Sequence, residues 1–99
     1  MIRILLIEDE EPIRRVLVRI LSEEDAQYKI TEAVDGKKGF YLLDKESFDL
    51  VLCDIKMPKM DGIEVLQKAK NSKINTPFIM LTGHGNVETA VEAMKLGAY

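Results

Sequence analysis

The stretch LVLCDIKMPKMDGIEVL, residues 50–66, decides how this chain folds. An apolar run, Leu50-Val51-Leu52-Cys53, ends abruptly on Asp54. Met57-Pro58 follows, then Asp61-Gly62, then Ile63, Leu66 and, just beyond, Ala69 at helical spacing. A run so short and apolar reads as a buried strand. The Asp-Gly pair opens a helix, because a carboxylate at that position accepts from the first free N–H groups. The stretch therefore spells strand, loop, helix. It also poses a question. Asp54 is either a turn residue that stops a strand or a carboxylate held at a sheet edge to react.

The same order recurs on both sides. Residues 2–7 (IRILLI) read as a strand, too short and too β-branched for a buried helix. Acids and a proline follow, Glu8 to Pro12, as at a helix start. Ile13, Val16, Leu17, Ile20 and Leu21 then predict one apolar face of a helix running to about Glu24. Residues 28–34 alternate as a half-buried strand, and Asp35-Gly36 turns the chain into a weaker helix marked by Phe40 and Leu43. After the strand at 49–53 and its helix, Thr76-Pro77 leads into a strand at 78–81. Gly83-His84-Gly85 forms a loop, and Asn86 caps a last helix carrying Val87, Ala90, Val91 and Met94, ended by Gly97.

Strand and helix thus alternate four times. That order makes a parallel sheet with right-handed crossovers and helices on both faces, an α/β doubly wound fold. Ninety-nine residues suit one domain, and 31% charged with 46% hydrophobic residues is ordinary for a globular chain. The net charge of −3 gives no reason to bind nucleic acid directly. No apolar run is long enough to span a membrane, and none before Glu8 resembles a secretory signal. Cys53 is the single cysteine, so no internal disulfide or thiolate cluster forms, and a cytoplasmic location is the default expectation.

In a parallel sheet every strand's carboxyl end lies on one edge, where open α/β sheets bind ligands. Glu8, Asp9, Asp35, Asp54 and Thr82 all fall just past predicted strand ends. Taken singly they have plain explanations: Asp9 and Asp61 as helix caps, Asp35 as turn chemistry, Thr82 as a strand end, Cys53 as a small buried hydrophobe. Together they do not. If the first and third strands are neighbours, three carboxylates share one crevice. Two unit charges about 4 Å apart repel by about 4 kcal/mol at an effective dielectric near 20. Such a group holds either protons or a cation, and hard oxygen ligands point to Mg²⁺. The chemistry that follows is phosphoryl handling, with Asp54 as nucleophile and Thr82 offering its hydroxyl to a phosphoryl oxygen.

These residues carry a resemblance. LLIEDEEP, LVLCDIKMPKMDG and PFIMLTGHGNVETAVEAMKLGAY resemble the receiver domain of bacterial two-component response regulators, over the whole chain. TGHGN further resembles receivers of nitrogen-regulation-type activators. The resemblance implies a flavodoxin-like sheet of order 2-1-3-4, a histidine kinase as phosphoryl donor and an output domain or downstream effector as recipient of the signal. It implies that Asp54 is the phosphoacceptor and Thr82 the switch hydroxyl. Mg²⁺ would be held by Glu8, Asp9, Asp54 and the main-chain carbonyl of Lys56. The side chains of Lys56 and His84 would tune phosphate lifetime.

Receivers normally continue into a fifth strand, a Lys-Pro pair and a fifth helix, whereas this sequence stops at KLGAY. Residues 1–99 are therefore expected to form a receiver incomplete at its C-terminus, with the fifth strand and helix missing and the family's phosphate-binding lysine absent. Such a chain would expose its fourth strand as an edge and leave apolar surface on its first helix, inviting self-association through the fourth strand and last helix. The rival reading is an interaction or oligomerisation module that binds Mg²⁺ but is poorly phosphorylated and switches badly. An aspartate-nucleophile phosphohydrolase of the haloacid-dehalogenase kind usually has a second acid where this chain has Lys56, and no cap domain is present. No glycine-rich phosphate loop follows the first strand, which sets a nucleotide-binding domain aside.

Overall fold

A computed structural model describes residues 2–24, 27–57 and 60–81. The elements are β1 (Ile2–Ile7), α1 (Glu11–Glu24), β2 (Tyr28–Ala33), α2 (Gly36–Lys45), β3 (Leu50–Asp54), α3 (Gly62–Asn71) and β4 (Phe78–Leu81). The helix predicted from Asn86 lies outside the described residues. The strands form one parallel sheet of order β2-β1-β3-β4, the order that the resemblance implied. No helix of the described residues is long and apolar enough to cross a membrane.

Alternation along the strands splits the core between two faces. On one, Leu5, Ile7, Val51, Cys53 and Phe78 pack with Leu43 of α2 and with Ile63, Val65, Leu66 and Ala69 of α3, all buried. On the other, Ile4, Leu6 and Leu52 are buried beneath Leu17, Val18 and Leu21 of α1, which are only half-buried. Both central strands are apolar because both of their faces are covered.

Three local readings differ from the sequence. First, β3 runs over 50–54, one residue later than predicted, so Asp54 is the last residue of the ladder and pairs with Leu81. Asp49, just before the strand, bonds Arg3 twice: its carboxylate accepts from the Arg3 N–H (2.8 Å) and its own N–H donates to the Arg3 carbonyl (2.8 Å). Second, β2 ends at Ala33 and leaves Val34 exposed. Third, the inward stripe of α1 is Arg14, Leu17, Val18 and Leu21, whereas Ile13, Val16 and Ile20 face outward at 38%, 54% and 56% exposure. The stripe has turned toward β2, and Arg14 bonds both to that strand and to the turn before the helix.

Asp35 does more than turn the chain. It caps α2 by accepting from the Lys38 N–H (2.8 Å). Two residues past the end of α3, Lys73 takes the left-handed conformation (φ 61°), and the Ile74 N–H reaches back to the Ala69 carbonyl (2.9 Å). That is a Schellman closure made by a lysine where glycine is usual.

Candidate metal centre

β1 and β3 lie side by side, and their carboxyl ends deliver Glu8, Asp9 and Asp54 to one place. One carboxylate oxygen from each lies within 4.8 Å of the others. Glu8 and Asp54 are each only 2% exposed, and Asp9 is half-buried.

The backbone holds this arrangement from two sides. Glu8 extends the sheet by donating its N–H to the Ala33 carbonyl (3.1 Å). Its own carbonyl accepts from Arg14 Nη1 (3.0 Å), and its Oε2 accepts from the Glu10 N–H (3.1 Å). Across the site, Ile55 donates its N–H to Leu81 (3.2 Å) and accepts from the Gly62 N–H (2.8 Å). Gly62 is required there, because a Cβ would collide with the Asp54 carbonyl oxygen and with Ile55. The first turn of α3 therefore sits directly against the end of β3. Asp61 fixes that turn as its cap, in a reciprocal box with Glu64. α1 and α3 both start at this edge, so their dipoles favour negative charge there.

The electrostatics agree with the geometry. Burial pushes the Glu8 carboxyl up to about 7, the Glu10 N–H opposes this, and the neighbouring Asp54 and Asp9 push it further. Three acids this close, two of them buried, are stable together only when protons or a cation offset their charge. The donors are all carboxylate oxygens, the set that Mg²⁺ and Ca²⁺ prefer. The Cys53 thiol next to Asp54 is not a competing ligand, since burial first and then the surrounding acids raise its pKa well above the ordinary thiol range.

Glu8, Asp9 and Asp54 thus converge as the sequence reading anticipated. Lys56 follows the pinned Ile55, with its side chain exposed. Thr82 and His84 lie outside the described residues. Asp9 does not cap α1, which begins only at Glu11; the carboxylate belongs to the acidic group instead. Asp61 is the cap it was read to be. Arg14 escaped the sequence reading altogether, because a charged residue beside an apolar stripe looks like solvated surface.

A family model for the response regulator receiver domain matches residues 4–99. The regulatory protein AtoC of Escherichia coli is 37% identical over 97 residues, 98% of this chain and 21% of that protein. The transcriptional regulatory protein FixJ of Rhizobium meliloti is 37% identical over 93 residues, 94% of this chain and 45% of that protein. The chain spans less than half the length of either relative. Among solved structures, FixJ-N superposes with a TM-score of 0.88 at 33% identity, covering 99% of this chain and 77% of that one. A receiver domain protein from Clostridium thermocellum gives 0.90 at 32% identity, covering all of this chain and 79% of that one.

Proposed function

Because the chain belongs to the response regulator receiver domain family of two-component signalling systems, we propose that Asp54 accepts a phosphoryl group from a histidine kinase. The reaction uses Mg²⁺ held by Glu8, Asp9, Asp54 and the main-chain carbonyl of Lys56. The observation that carries this reading is the convergence of three carboxylates within 4.8 Å at the carboxyl edge of a parallel sheet. The oxygen-only donor set suits Mg²⁺, which takes few carboxylates and leaves room for phosphate.

An Asp54 carboxylate oxygen attacks the phosphorus of a phosphohistidine. The P–N bond breaks, the imidazole nitrogen leaves with its electron pair and takes a proton, and an acyl phosphate forms on Asp54. When bound, Mg²⁺ supplies positive charge against the phosphoryl oxygens. The protein's own part is position. The β3 ladder and the Gly62–Ile55 bond hold Asp54, while the Glu10 N–H holds the Glu8 carboxylate. Water later attacks the phosphorus and restores the free carboxylate. Phosphotransfer and dephosphorylation are thus self-directed, and no separate substrate is turned over. The Thr82 hydroxyl donates to a phosphoryl oxygen, and the resulting population shift is passed to an output domain or effector in the cytoplasm. Residues 1–99 act within a receiver domain in this scheme.

The test is mass spectrometry after incubation with a small-molecule phosphodonor and Mg²⁺. The protein gains one phosphoryl group, and Asp54→Asn gains none. A wild-type protein that gains none refutes the phosphoacceptor reading.

Two observations favour a second role as a self-associating module. Among the described residues β4 pairs only with β3, and Ile13, Val16 and Ile20 stand exposed on α1. Light scattering that reports a monomer at all concentrations excludes this role.

A further inference from the structure

We propose that Arg14 is a positioning residue for this centre. Its guanidinium ties the Glu8 carbonyl to Glu32 on β2, and so sets the turn that presents Glu8 and Asp9 to Asp54. The inference rests on the metal reading above and adds to it a residue that touches neither metal nor phosphate.

The geometry is specific. Arg14 Nη1 donates to the Glu8 carbonyl (3.0 Å), and Arg14 Nε donates to Glu32 Oε1 (2.9 Å). Its side chain is only 13% exposed, against 76% for Arg15 and 79% for Arg19 on the same helix. Helical side chains lean toward the helix N-terminus, so a residue in the first turns of α1 covers the turn that precedes it. Arg14 also stands on the sheet-facing stripe with Leu17, Val18 and Leu21, where its stem packs and its planar head meets two acceptors at once. The Glu8 N–H is already bonded to the Ala33 carbonyl of β2. Arg14 therefore adds a second tie from the same residue to the same strand. The Glu8 carboxylate is held separately, by the Glu10 N–H (3.1 Å). Arg14 works on the main chain, by geometry.

Arg3 is the natural control. It makes an ion pair of similar kind with Glu46 (2.6 Å), and its own N–H bonds Asp49, at the amino-terminal end of β1 away from the acids. A merely structural role predicts that Arg14→Ala and Arg3→Ala both lower the urea midpoint and that neither changes Mg²⁺ affinity. A positioning role predicts a split.

Calorimetric titration of the full chain with MgCl₂ separates them. Arg14→Ala raises the Mg²⁺ Kd about 10-fold, the lower range for outer-shell partners of metal ligands. Arg3→Ala leaves it within about twofold, inside that same outer-shell threshold. Arg14→Lys keeps the charge but not the fork, and still weakens binding about threefold. It carries the test should Arg14→Ala not fold. An Arg14→Lys or folded Arg14→Ala protein with wild-type affinity overturns the inference alone. Absence of Mg²⁺ binding to the wild-type protein overturns the metal reading, and the inference with it.

Discussion

The two faces of the sheet are packed to different degrees. Beneath α2 and α3, side chains from three elements interlock, and Leu5, Val51, Val65, Leu66 and Ala69 are wholly buried. Beneath α1 no helix residue is buried at all. That helix rests on half-buried Leu17, Val18 and Leu21, and Arg14 ties its start to Glu32 and to the Glu8 carbonyl. Both faces carry an apolar core, but the first is packed more densely, and on the second Arg14 adds directional bonds to a smaller cluster. The acidic centre lies where they meet, at the carboxyl ends of the two strands that serve both faces.

That contrast can be broken most directly by deleting core volume on either side. Leu66→Ala should cost about 3 kcal/mol, and Leu17→Ala on half-buried α1 about 1 kcal/mol, both read from urea unfolding. Equal costs would show that α1 is packed as tightly as α3. The next effect acts where the faces join. Saturation with Mg²⁺ at a hundred times its Kd should add about 2.7 kcal/mol of stability. The pH dependence of the metal-free protein sharpens this. The Glu8 carboxyl is raised from 4.5 to about 7 in the folded state, so the folded protein binds more protons than the unfolded chain within that window. Stability without metal should therefore fall as pH rises from about 4.5 to 7 and level off above it. Mg²⁺ competes with that proton, so its apparent affinity should rise over the same window; a flat calorimetric profile would mean that Glu8 is not a ligand.

Smaller effects map the periphery of each face. Lys73→Gly should raise stability by about 1 kcal/mol, by removing a side chain from the left-handed closure of α3. Ile20→Lys on the outer side of α1 should change stability by no more than about 0.5 kcal/mol, while lowering any self-association seen by light scattering.

Most of the architecture was legible in the chain, since strand–helix alternation and the apolar runs at 4–7 and 50–53 admit few other topologies. The order of the strands was not; it came from the resemblance, and without it Glu8 and Asp54 could not be brought together. The inward face of α1 was legible in part: Leu17 and Leu21 meet the sheet as read, and Ile13, Val16 and Ile20 form the exposed apolar surface expected on this helix. Ile13, Val16 and Ile20 match the helical period as well as Val18 and Arg14 do, and periodicity cannot say which stripe meets a sheet. On the stripe that does meet the sheet, Arg14 bonds two acceptors beside Leu17, Val18 and Leu21. Lys56 shows a different limit, because any role of its carbonyl belongs to an atom that every residue has.

Asp54 remains within the β3 ladder, and the Ile55 that follows is bonded on both sides. The phosphoryl group proposed for Asp54 would sit at the end of that ladder, on a residue whose neighbour is bonded to both β4 and the start of α3. Any rearrangement that follows would then have to come from the segments around Asp54, since the ladder itself leaves it little room to shift.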